Sequence, residues 1–119
     1  MKNSITVEEF IQYLKNNNLP EEYLVEDDVY LSQVFEKEAN LKNGTFVRKF
    51  CCGDAIFHEN LLFGNSVFKK SFTTHDAVFK KGILCEHARF EGYFSYKPSN
   101  IDQMIDIGSC SIFKARKLF

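Results

Sequence analysis

The apolar positions of this chain recur every eleven residues. Phe35, Phe46, Phe57, Phe68, Phe79 and Phe90 form a ladder at that spacing, and Ile101 and Ile112 continue it. Two residues before the ladder position stands a small side chain: Gly44, Ala55, Ser66, Ala77, Ala88, Ser99 and Cys110. Four residues after it comes a large apolar one, in Phe50, Leu61, Phe72, Ile83, Phe94 and Ile105, and two beyond that come Cys52, Phe63, Thr74, Cys85, Tyr96 and Ile107. Each unit therefore holds two short segments of alternating pattern, and a period of two is that of a strand. A polar position separates them, filled by Arg48, Glu59, Lys70, Lys81, Gly92, Gln103 and Lys114. Turn-formers such as Gly53-Asp54, Gly64-Asn65 and His75-Asp76 end each unit.

The opening of the chain follows a different period. Thr6 with Glu9 three residues on is a capping box, and Ile5 with Phe10 has the spacing of a hydrophobic staple. Val7, Phe10, Ile11 and Leu14 then fall on one helical face, and Asn16-Asn17-Asn18 with Pro20 stop the helix. A solenoid needs its open end covered, so this face is expected to lie over the first coil, with a partner-binding helix as the alternative. The irregular Leu24–Leu31 stretch, with Glu26-Asp27-Asp28 inside it, reads as a turn and a first strand.

Two architectures fit the period. In a repeat β-solenoid, two 11-residue units make one coil of about 22 residues, so Phe46, Phe68, Phe90 and Ile112 stack in one file and Phe57, Phe79 and Ile101 in another. In an antiparallel β-meander each unit is one long strand, and Arg48, Glu59, Lys70 and Lys81 fall in the middle of an apolar face, where unpaired charge is expensive. The solenoid puts those residues at corners in water and is preferred. The expected fold is mainly β, a single domain over residues 1–119, with a capping α-helix over 6–18, the β repeat array over 29–113 and a tail over 114–119.

Asp54-Ala55-Ile56-Phe57, Asn65-Ser66-Val67-Phe68, Asp76-Ala77-Val78-Phe79 and His87-Ala88-Arg89-Phe90 resemble the units of pentapeptide-repeat proteins over roughly residues 39–112. The resemblance implies a right-handed four-sided β-helix with the small and the large central residue both inward. It also implies a non-enzymatic protein. Units here alternate five and six residues, and the intervening segments carry Phe, Leu or Ile where that family prefers a small side chain, which implies a wider coil. Some members of that family mimic DNA to act on topoisomerases, and such mimicry needs an acidic surface.

Charge does not supply one over the repeats. The net charge is −1, but residues 1–38 carry nine acidic and three basic side chains, a balance of −6, while residues 39–119 carry twelve basic and seven acidic, a balance of +5. Arg48-Lys49, Lys69-Lys70 and Lys80-Lys81 recur at the same corner of the unit and are the candidate partner-binding or polyanion-binding residues. No apolar run reaches the roughly 20 residues that span a bilayer and no signal-peptide core is present, so the expected compartment is the cytoplasm, with no membrane partner and four reduced cysteines.

Cys51, Cys52, Cys85 and Cys110 with His58, His75 and His87 are the soft-ligand and nucleophile set. Their spacing matches no zinc motif, and core packing accounts for the inward cysteines, so no metal, cofactor or catalytic residue is assigned. The leading expectation is a non-enzymatic binding protein of inhibitor, immunity or adaptor type, with another protein as partner and a homodimer as a further candidate. Nucleic acid held by the basic ridges is the alternative, and a small enzyme built on Cys85 and His87 the second alternative.

Overall fold

The computed structural model describes residues 3–85 and 87–95, together with the backbone of residues 96, 105–106 and 111–112. Its strands are short because the chain turns a corner every five or six residues. They stack into a parallel β-solenoid of about four turns, with about 22 residues per coil. Face A holds Asn3–Ser4, Glu22–Val25, Asn43–Phe46, Val67–Phe68, Arg89–Phe90 and Ser111–Ile112. Face B holds Val29–Tyr30, Lys49–Cys51, Ser71–Thr74 and Tyr93–Tyr96. Face C holds Val34–Phe35, Ile56–Phe57 and Val78–Phe79, and face D holds Ala39–Asn40, Leu61–Leu62, Ile83–Leu84 and Ile105–Asp106. Every pairing among the described strands is parallel, which excludes the meander.

The register follows the sequence pattern. Phe68 pairs with Phe46 and Phe90, Phe57 with Phe35 and Phe79, and Phe72 with Phe50 and Phe94. Because strand neighbours are about 4.8 Å apart, identical inward rings are forced into face-to-face files. Phe46, Phe68 and Phe90 stack at centroid distances of 5.1 Å, and Phe35, Phe57 and Phe79 at 4.9 and 5.2 Å. The small column is buried at every described position from Gly44 to Ala88, which lets the corners close around the rings. Ser66, a polar member of that column, is satisfied: its Oγ donates to the Lys42 carbonyl at 2.7 Å and accepts from the Gly44 N–H at 3.2 Å.

Close approach of successive coils fixes two glycines. A Cβ on Gly64, whose φ is +58°, would sit 2.6 Å from the Lys42 carbonyl oxygen, and one on Gly92 would overlap the Lys70 carbonyl oxygen outright.

The helix spans Val7–Lys15, shorter than the expected 6–18. Thr6 is its N-cap, with both arms of the capping box formed: the Glu9 N–H donates to Thr6 Oγ1 at 3.0 Å and the Thr6 N–H to Glu9 Oε1 at 2.8 Å. It stops early because Asn17 takes a left-handed conformation (φ +56°), and the Asn16 side chain donates back to the Gln12 carbonyl. Phe10 and Leu14 are buried, and the Phe10 ring meets Phe46 edge-on at 5.3 Å, so the helix closes the first coil. The array also starts before residue 29. Asn3–Ser4 and Glu22–Val25 already lie on face A, because Tyr23 and Val25 supply inward side chains although neither belongs to the phenylalanine ladder. Ile101, Cys110 and the 114–119 tail lie outside the described residues.

Candidate interaction surface

With the interior filled by rings, chemistry is left to the corners and the outward files. The polar separators do sit at corners: Arg48, Lys70 and Lys81 are exposed and Glu59 is half-exposed. Since one coil contains two units, the six basic candidates divide. Arg48-Lys49 and Lys69-Lys70 lie on adjacent rungs of the corner between faces A and B, while Lys80-Lys81 lies at the opposite corner, between C and D. The two groups also differ in charge balance. Lys81 Nζ is 3.0 Å from Glu59 Oε1, whereas Arg48, Lys49, Lys69 and Lys70 form no ion pair with the described residues. The A/B cations are bounded by Glu26, Asp27 and Asp28 on the preceding coil, where Asp28 accepts the Lys49 backbone N–H at 3.0 Å.

Face C carries a feature that the ladder reading missed. Val34, Ile56 and Val78 alternate with the buried phenylalanines and therefore point outward, one above another in register. Val34 is 42% exposed, and Ile56 and Val78 are half-buried. The signal was legible as the residue preceding each ladder Phe, but an eleven-residue average mixes this β-branched file with Thr45, Val67 and Arg89 of face A. One edge of the file is the corner with exposed Asp54 and Asp76. Along the other run Glu36, His58 and Lys80, with His58 Nε2 3.9 Å from Glu36 Oε1.

The cysteines and histidines do not converge. Cys52 is fully buried, and burial, reinforced by the adjacent Cys51, pushes its thiol far above the ordinary range. Cys51 is on the outward side of face B, accepting from Thr73 Oγ1 at 3.3 Å. Cys51 and Cys52 are free, but Cys85 is buried and disulfide-bonded, which corrects the expectation of four reduced thiols drawn from the assumed compartment. The pair Cys85 and His87 consequently offers no free thiol, and His87 faces solvent at a turn with φ +59°. Among the described residues no group of three metal-ligating side chains comes together, and no helix is long and apolar enough to cross a membrane. Comparison with protein-family models, with curated proteins and with solved structures gives no match.

Proposed function

We propose that this chain is a non-enzymatic binding protein, of inhibitor, immunity or adaptor type, that engages a protein partner through face C of its solenoid. The observation that carries this reading is the outward Val34, Ile56, Val78 file. Contiguous apolar surface rimmed by charge marks interaction sites, because leaving it in water forgoes the stabilisation its burial provides. The file is also pre-organised. Its backbone is fixed by stacked Phe35, Phe57 and Phe79 beneath, so little freedom remains to be lost on binding. The likeness of the Asp/Asn-small-x-Phe units to pentapeptide repeats supports the same reading, since that family is mostly non-enzymatic; it is a likeness of motif and bears on function only by analogy.

The test is affinity capture from the host lysate with three baits: wild type, Val34→Lys, and Lys69→Glu/Lys70→Glu. A protein captured by wild type and by the double variant, surviving high salt and lost with Val34→Lys, supports the reading. Capture indifferent to Val34→Lys removes face C from it.

A second reading is favoured by a separate observation, the four cations at the A/B corner that have no ion-pair partner among the described residues. They would meet phosphates or an acidic protein. That reading predicts binding lost steeply with salt and abolished by Lys69→Glu/Lys70→Glu.

A further inference from the structure

We infer that face C, taken as the binding surface proposed above, binds a second copy of this chain. Both halves of a complementary pattern lie on this one face. Asp54 and Asp76 stand on one edge of the apolar file and His58 and Lys80 on the other. Asp54, Asp76 and Lys80 make no ion pair with the described residues, so these charges are held beside apolar surface without internal compensation.

Two copies can be brought face to face by a two-fold axis parallel to the solenoid axis. Rungs then remain level, strands run antiparallel across the interface, and Val34, Ile56 and Val78 lie against their own counterparts at the sheet spacing of about 10 Å. The operation exchanges the edges. Asp76 of each copy faces Lys80 of the other, Asp54 faces His58, and Glu36 faces the exposed hydroxyl of Ser32. A two-fold axis along the strands brings Lys80 opposite Glu36, already beside His58 of its own chain, but sets Asp54 against Asp54 and His58 against His58, and like groups opposed across an interface disfavour it. The charge arrangement thus selects one dimer geometry. The face is narrow compared with the roughly 800 Å² per partner of standard interfaces, so the dimer is expected to be weak and in exchange with monomer.

Sedimentation velocity and light scattering on the purified chain, from about 1 µM to about 1 mM, test this directly. The expected result is a weight-average mass that rises with concentration from 13.8 kDa toward twice that value. Val34→Lys and Lys80→Glu each raise the dimer dissociation constant at least ~10-fold, and Lys80→Glu with Asp76→Lys restores it to within ~3-fold, each variant being checked for an unchanged circular-dichroism melt. A monomer throughout the range overturns the inference. In that case capture of a different protein by wild type, and its loss with Val34→Lys, would leave the broader reading of face C standing. A dimer indifferent to both Val34→Lys and Lys80→Glu also overturns it, because assembly then uses another surface.

Discussion

Truncating Phe68 to alanine removes a ring that meets five others among the described residues. It stacks on Phe46 and Phe90 at 5.1 Å on either side and meets Phe72, Phe50 and Phe63 edge-on at 5.1, 5.3 and 5.4 Å. The ring is 1% exposed, so essentially all its area is withdrawn from water on folding. Taking about 150 Å² lost relative to alanine, at about 25 cal/mol per Å², gives roughly 4 kcal/mol. The rungs above and below are held by the backbone ladder and cannot close the gap, so a cavity contribution adds to this and the total should lie near the upper end of the 3–5 kcal/mol range for such substitutions. A domain of this size has about 5–15 kcal/mol of stability in all. At about 2.1 cal/mol/K of unfolding entropy per residue, the loss corresponds to a fall in Tm of about 15–20 °C. Thermal melts followed by circular dichroism, with Phe68→Leu as a milder control costing about 1–1.5 kcal/mol, measure it. A Phe68→Ala protein melting within about 2 °C of wild type would refute the claim that this ring fills a rigid, shared interior.

Other consequences follow from individual contacts. The buried Tyr23 hydroxyl donates to the Leu41 carbonyl at 2.6 Å, so Tyr23→Phe strands that acceptor and should cost about 1–3 kcal/mol in a urea titration. Burial suppresses the ionisation of both Tyr23 and Cys52, so the folded state keeps protons that the unfolded chain releases. That stability is fully present below the unfolded values, about 9 for the thiol and about 10 for the phenol, and is lost as pH rises beyond them. Tm should therefore begin to fall near pH 9, and Cys52→Ala should delay the onset. Thr6→Ala removes the cap of the helix that covers the first coil and should cost about 1 kcal/mol by chemical denaturation. In native protein, iodoacetamide should modify Cys51 well before Cys52, as read by mass spectrometry of peptides; equal rates would show that the inward column is open to solvent.

The fold was legible because the solenoid writes its geometry along the chain. Inward columns are repeated at every rung, so the Phe ladder, the small column and the polar separators each occur often enough to rise above local accident, and their phase assigned the corners. What was less legible has physical reasons. Glu22–Val25 departs from the ladder because the coil is closed there by Phe10 of the helix, which takes part of the space that a phenylalanine on this strand would fill. The helix boundary was set by the left-handed Asn17, a choice among three consecutive asparagines that composition does not make. The basic residues were found individually, but dividing them between opposite corners needs the number of faces per coil. The Val34, Ile56, Val78 file belongs to alternate units only, and it appears once the 22-residue register is used.

That register underlies every surface described above, and nuclear Overhauser contacts between backbone protons test it most directly. The parallel 22-residue register predicts contacts from the residue after each paired position, 23 residues on, such as the Lys69 N–H with Phe46 and the Glu91 N–H with Phe68, whose carbonyls accept those two N–H groups at 2.9 Å. Antiparallel contacts between strands 11 residues apart, pairing Phe57 with Phe68, would contradict it and dissolve face C along with the proposed binding surface.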